Sequence, residues 1–134
     1  MSLSIDERNA LVNLELEKAE QTFEEIEILS ESNHWNGAAN RLYYAVFHAV
    51  NALFLHDGLE VHTHRGSHAV FGLNYIKTGV FPKEYGRLYS ALQTMREESD
   101  YNCVYSVSQQ EIEDGIEPAK RFIAAIKEYI STHQ

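Results

Sequence analysis

Two side chains with the means to do chemistry on an anionic group lie seven residues apart, Arg41 and His48. Histidine titrates near neutral pH and can serve as a general acid or a general base. Arginine offers a fixed fork of donors that suits negative charge gathering on an oxyanion. On a helix, residues seven apart point within about 20° of the same direction. The pair therefore indicates a site for acid–base chemistry, if this segment is helical.

The helix face around the pair lacks the lysine and glutamate side chains of an ordinary solvated surface. Besides Arg41 and His48 it holds small, aromatic and polar residues, namely Tyr44, Ala45, Asn51, Ala52 and Leu55. Because alanines allow another surface to approach closely, we interpret this face as an interface that also carries a polar site. Replacing Ala45 with Arg should then weaken a dimer. The alternative is that Arg41 is a surface ion-pair partner and His48 a half-buried core histidine.

The elements that must position this pair are all predicted to be helices. Apolar stripes at spacings of three and four recur five times, and nothing reads as a strand, so we expect an all-α antiparallel bundle of four to five helices. The predicted helices cover residues 5–30, 35–56, 67–77, 82–101 and a last segment from 109 onward.

Capping residues set several of these bounds. Ser4 with Glu7, and Ser108 with Glu111, have the spacing of a capping box at the start of the first and last helices. Ser32 or Asn33 is expected to cap the second helix. Pro118 predicts either a kink in the last helix or a start near residue 117, because proline removes a backbone donor.

Composition limits the classes of protein that the chain could be. With 134 residues and 44% hydrophobic side chains, it is expected to form a single helical domain over residues 1–134 without metal or disulfide. A net charge of −9 argues against a protein that coats nucleic acid by bulk attraction. We expect no membrane span, no signal peptide and a cytoplasmic location, with the lone Cys103 buried or half-buried.

A longer pattern surrounds the Arg41 and His48 pair. The segment Ala38-Ala39-Asn40-Arg41-Leu42-Tyr43-Tyr44-Ala45-Val46-Phe47-His48-Ala49 resembles the "R-x-YYA-x-FH" segment of prokaryotic HEPN proteins. Further segments match in order: Thr63-His64-Arg65-Gly66, Phe71-Gly72, Lys77-Thr78-Gly79 and Arg96-Glu97-Glu98-Ser99-Asp100-Tyr101. The resemblance spans residues 14–130.

The resemblance implies a homodimeric helical bundle that cleaves RNA without metal or other cofactor, with Arg41 and His48 as the catalytic residues. It also implies a toxin paired with an MNT-type nucleotidyltransferase antitoxin. We expect Tyr44, Asn51, His64 and Arg96 to support the site or bind RNA. His64 is expected to fix a loop beside the second helix. Arg96 is expected either to line the RNA cleft or to belong to an internal ion pair, which is the more ordinary role.

Three features leave other functions open. HEPN ribonucleases often place a polar residue directly after the arginine, whereas this chain has Leu42, which should face the core. That departure and the acidic charge favour a non-catalytic module that binds a nucleotidyltransferase partner or a nucleotide. His62, His64 and His68 could be drawn as a metal site, but no cysteine or spaced carboxylate completes the set, so we expect no metal.

Overall fold

The computed structural model describes residues 3–134, and within them every regular element is a helix, as the sequence predicts. The elements are α1 (Ile5–Glu31), α2 (Trp35–His56), α3 (His64–Phe71), a π-helical turn (Gly72–Ile76), α4 (Lys83–Tyr101) and α5 (Gln109–Thr132). None of the helices in this part of the chain combines the length and the apolar character needed to cross a membrane.

The first and last helices each begin with a capping box. The Ser4 side chain accepts a hydrogen bond from the Glu7 amide at 3.1 Å, and the Ser4 amide donates to the Glu7 carboxylate at 3.0 Å. The same reciprocal box joins Ser108 and Glu111 at the start of α5. Helix α5 therefore begins at its capping box rather than near residue 117, and Pro118 lies inside one continuous helix.

The prediction of a side-chain cap on α2 is wrong. Ser32 instead ends α1, and His34 occupies the cap position of α2 without a side-chain hydrogen bond. Asn33 lies between them with a φ of 60°, in the left-handed region that asparagine tolerates better than most residues. The reversal between the two helices is so tight that neither candidate reaches the cap position of α2.

The predicted start of the third helix is also wrong. Helix α3 begins at His64, three residues earlier than expected, because the Thr63 side chain accepts a hydrogen bond from the Gly66 amide at 2.9 Å and caps the helix. The helix continues into the π-helical turn and stops before Gly79, whose φ of 80° suits a helix end. Cys103, expected to be at least half-buried, is exposed in the segment after α4.

Helix α2 is the centre of the bundle, with α1 along one side and α4 and α5 on others. Its predicted core residues are fully buried: Leu42, Val46, Ala49, Val50 and Leu53. Helix α5 approaches closely at Gly115, where an added Cβ would lie 2.8 Å from the Leu42 side chain. The core face predicted for α2 is therefore confirmed, including the inward position of Leu42.

The opposite side of α2 is covered differently from what the sequence indicates. Ala45 and Ala52 are fully buried within this one chain. Arg41 and His48, which lie on the same side, both reach carboxylates of α1. Interpreting these alanines as part of an intermolecular contact is therefore wrong, because their small size lets α1 of the same chain pack against α2. Ala45→Arg would accordingly disturb the fold rather than a dimer alone.

Candidate functional site

Arg41 lies half-buried at the edge where α2 meets α1. Its Nε and Nη2 donate to the Asn40 side-chain oxygen at 3.0 and 2.5 Å, and its Nη1 lies 3.6 Å from the Glu25 carboxylate of α1. Asn40 in turn donates to Asp100 of α4 at 3.2 Å. The guanidinium is therefore held in place by its neighbour Asn40, which is itself fixed to another helix.

His48 lies two turns further along the same edge. Its Nδ1 is 2.9 Å from a carboxylate oxygen of Glu15, and the His48 side chain keeps 21% of its surface exposed. An ionised carboxylate only accepts hydrogen bonds, so Nδ1 carries the proton in this contact. The other ring nitrogen, Nε2, is then the one with a free lone pair when the imidazole is neutral.

Tyr44 connects the two residues. Its ring centre is 5.5 Å from the Arg41 guanidinium carbon and 6.4 Å from the His48 ring centre. All three side chains are half-buried, so they form an accessible strip along α2 that the core does not cover. The strip joins a cation, a phenol and an imidazole, a set able to bind an anionic group and exchange a proton beside it.

Asn51 extends the strip beyond His48. It is half-buried and lines an open cleft of about 530 Å³ between α2 and the segment leading into α3. Phe47, Leu55 and His64 also line this cleft. The mixture of an amide with aromatic and aliphatic surface is suited to a flat, partly apolar ligand group such as a nucleobase.

His64, expected in a loop beside the second helix, is the first residue of α3 and attaches the start of that helix to α2. Its Nδ1 is 2.9 Å from the Tyr43 hydroxyl, and its ring centre is 4.5 Å from that of Phe47. Burial lowers the pKa of His64 below its ordinary value, and the positive charge of Arg96 lowers it further. His64 is therefore biased toward its neutral form beside the strip.

His68 lies behind His64, against the core. Its ring stacks on Tyr89 with centres 3.8 Å apart, and its Nε2 is 3.5 Å from the Tyr43 hydroxyl. Burial, with a smaller contribution from His64, lowers the pKa of His68 to about 4. In the described part of the chain, no three histidine, cysteine, aspartate or glutamate side chains come together as a metal site would require.

Arg96 of α4 forms an ion pair inside the chain and also lines an open cleft. Arg96 is only 5% exposed. Its guanidinium carbon is 5.1 Å from the Tyr43 ring centre and 5.6 Å from the Tyr44 ring centre. Its Nη1 is 3.7 Å from the Asp100 carboxylate. It also lines an open cleft of about 690 Å³ with Arg65 and Tyr44. Arg96 therefore belongs to an internal ion pair and borders the strip from the α4 side.

Three residues that touch the pair were not predicted from the sequence, namely Glu15, Glu25 and Asn40. Asn40 could have been found, because it precedes Arg41 directly. The two glutamates could not be distinguished from the other acidic residues of α1, most of which face solvent. Only the packing of α1 against α2 selects them.

Comparison with known proteins gives a family match over most of the chain. Residues 12–129 match the sequence model of the HEPN domain. A Thermotoga maritima protein, "UPF0332 protein", is 29% identical over 94% of this chain and 96% of its own length. Two Methanocaldococcus jannaschii proteins also match. "Putative toxin MJ0605" is 32% identical over 84% of this chain and 83% of its own length. "Putative toxin MJ0142" is 29% identical over 86% of this chain and 78% of its own length.

Proposed function

Because this chain belongs to the HEPN family, we propose that it is a toxin-like, metal-independent endoribonuclease whose site is built around Arg41 and His48. The observation that carries the proposal is the strip along α2. Arg41 and His48 occupy one accessible edge of the central helix, joined by Tyr44 and not required by the hydrophobic core. The names of the two Methanocaldococcus relatives support a toxin-like role.

The proposed reaction uses the 2′-hydroxyl of RNA as the nucleophile. That oxygen attacks the adjacent phosphorus and gives its proton to one histidine, the bond from phosphorus to the 5′-oxygen breaks, and a second histidine protonates the leaving oxygen. The products are a 2′,3′-cyclic phosphate and a free 5′-hydroxyl. Arg41 stabilises the negative charge that gathers on the non-bridging oxygens in the transition state. Tyr44, Asn51, His64 and Arg96 support this site or contact the strand.

A homodimer supplies the second histidine, since each chain contributes one His48. The homodimer is supported by an apolar surface on α1, beside the strip. Three leucine or isoleucine side chains remain exposed there: Leu11 (38%), Leu14 (58%) and Ile28 (62%). At 100° per residue, all three lie within about 60° of Glu25, which faces Arg41. An apolar surface next to the site is suited to burial against a second copy about a two-fold axis.

We propose further that the toxin is neutralised by an MNT-type nucleotidyltransferase encoded beside it. The choice of partner rests on the family resemblance, whereas the relatives' names support the toxin role alone. Expression of this chain alone should slow growth, and expression with its neighbouring nucleotidyltransferase should restore it. Normal growth in both cases would contradict the toxin–antitoxin proposal.

The ribonuclease proposal is tested with two alanine variants in the strip. Arg41→Ala and His48→Ala should stay folded and lose RNA cleavage by a factor of about one hundred or more. Cleavage by the wild type should persist in chelator, leave 2′,3′-cyclic phosphate ends, and stop when the scissile position carries a 2′-hydrogen. The matched controls are Arg121→Ala and His34→Ala, which remove exposed side chains outside the strip and should cleave normally.

One observation favours a second function, a non-catalytic module that binds a nucleotidyltransferase or a nucleotide. Arg41 is paired with the Glu25 carboxylate of α1, and Leu42, directly after Arg41, is buried and offers no polar group. Purified wild-type protein that cuts no RNA and leaves growth unchanged would favour this second function over the first.

A further inference from the structure

We infer that Glu15 of α1 is a positioning residue for His48, and that it fixes the imidazole in the tautomer that leaves Nε2 free for proton transfer. The inference rests on the proposed ribonuclease function for its chemical consequence. It concerns a residue that lies 33 positions away from His48 in the sequence and that reaches it only through the packing of α1 on α2.

The geometry separates Glu15 from the other acidic residue that faces the strip. The Glu15 oxygen is 2.9 Å from His48 Nδ1, which is the distance of a direct hydrogen bond, and the two side chains are 29% and 21% exposed. Glu25 is 3.6 Å from Arg41 and its side chain is 49% exposed. Glu15 is therefore the carboxylate held in a defined, partly sheltered contact, whereas Glu25 forms a looser surface pair.

The contact determines which nitrogen does the chemistry. A neutral histidine has a proton on one nitrogen only, and a carboxylate that accepts from Nδ1 keeps it there. Nε2 then accepts the proton of a nucleophile, while Glu15 keeps its hydrogen bond from Nδ1. In the second copy the protonated His48 donates from its own Nε2 to the leaving oxygen, so the Glu15 of each chain orients its histidine for one of the two roles.

In the described part of the chain, His48 Nδ1 is hydrogen-bonded to Glu15 and not to Tyr44 or Asn51, its polar neighbours on α2. Leu42 is buried against Gly115 of α5, Ala45 and Ala52 have no polar side chain, and both are fully buried. Because α1 supplies the hydrogen-bond partner of Nδ1, the orientation of His48 depends on a different helix. A ring with no partner at Nδ1 would divide its proton between the two nitrogens, and the fraction ready to act as a base would fall.

The test compares Glu15→Gln with Glu17→Gln, an equal loss of charge at an exposed position of the same helix. In Glu15→Gln the new side-chain amide can donate to Nδ1, which would move the imidazole proton to Nε2. Nitrogen NMR of the imidazole, with the His48 signals assigned from their loss in His48→Gln, reports the tautomer directly. Cleavage of a single-stranded RNA is measured on the same samples.

We expect wild type and Glu17→Gln to show a proton on Nδ1 of His48 and equal cleavage. Glu15→Gln should shift the proton toward Nε2 and reduce cleavage at least tenfold, with unchanged thermal unfolding. An unchanged His48 tautomer in Glu15→Gln overturns the inference, and so does a changed tautomer with full cleavage. If the wild type cuts no RNA, the ribonuclease proposal fails, and the tautomer alone then decides whether Glu15 orients His48.

Discussion

His68, which lies behind the strip, makes the free energy of unfolding depend on pH, and the size of that dependence follows from its pKa. His68 is half-buried and stacks on the core residue Tyr89, and its pKa is lowered to about 4, with burial as the main cause, against about 6.5 for an unfolded histidine. A lowered histidine pKa means that the unfolded chain binds the proton more tightly. The stabilising contribution is therefore complete above pH 6.5 and is lost as the pH falls from 6.5 toward 4.

The size of the effect follows from the two pKa values. At about 1.4 kcal/mol per pH unit the difference sets an upper limit of about 3 kcal/mol, and partial contact with solvent reduces this to about 1–2 kcal/mol. We predict that the free energy of unfolding falls between pH 7 and pH 4.5 in both proteins. The fall should be larger in the wild type than in His68→Phe, by about 1–2 kcal/mol. Phenylalanine keeps a flat ring against Tyr89 but has no nitrogen to protonate.

Urea denaturation at a series of pH values measures this difference, and subtracting one variant from another removes the shared titration of the acidic residues. His62→Phe is the matched control, because it makes the same substitution at an exposed histidine of the segment before α3. Equal pH dependence in His68→Phe and the wild type would refute the reasoning, since it would mean that burying His68 does not oppose its protonation.

Two further predictions separate folding from assembly. Ala45→Arg should destabilise the single chain by several kcal/mol in urea denaturation, because position 45 is fully buried between α1 and α2 and an arginine there would be desolvated without a partner. Wild-type stability in this variant would contradict the burial of position 45. Leu14→Glu, at a position that is 58% exposed, should leave unfolding within about 0.5 kcal/mol of wild type while shifting the sedimenting species from dimer toward monomer. An unchanged sedimentation profile would remove α1 from the proposed dimer contact.

The helices and the shared edge of Arg41 and His48 are properties that the sequence determines by itself. The capping boxes at Ser4 and Ser108 join residues three apart, and a helix places residues seven apart on one side whatever surrounds it. Where local signals compete, as at Ser32 and Asn33, the sequence alone does not choose between them. Both had suitable side chains, but the reversal of the chain left neither at the cap position of α2.

The partners that α1 contributes to the site were decided only by tertiary structure. The chain has 20 acidic residues, and nothing local distinguishes Glu15 from the rest, because its contact with His48 depends on the register of α1 along α2. The same register buries Ala45, whose small size was compatible equally with a second molecule or with a helix of the same chain. Helical periodicity determines which way a side chain points, whereas the packing of distant segments determines what it meets there.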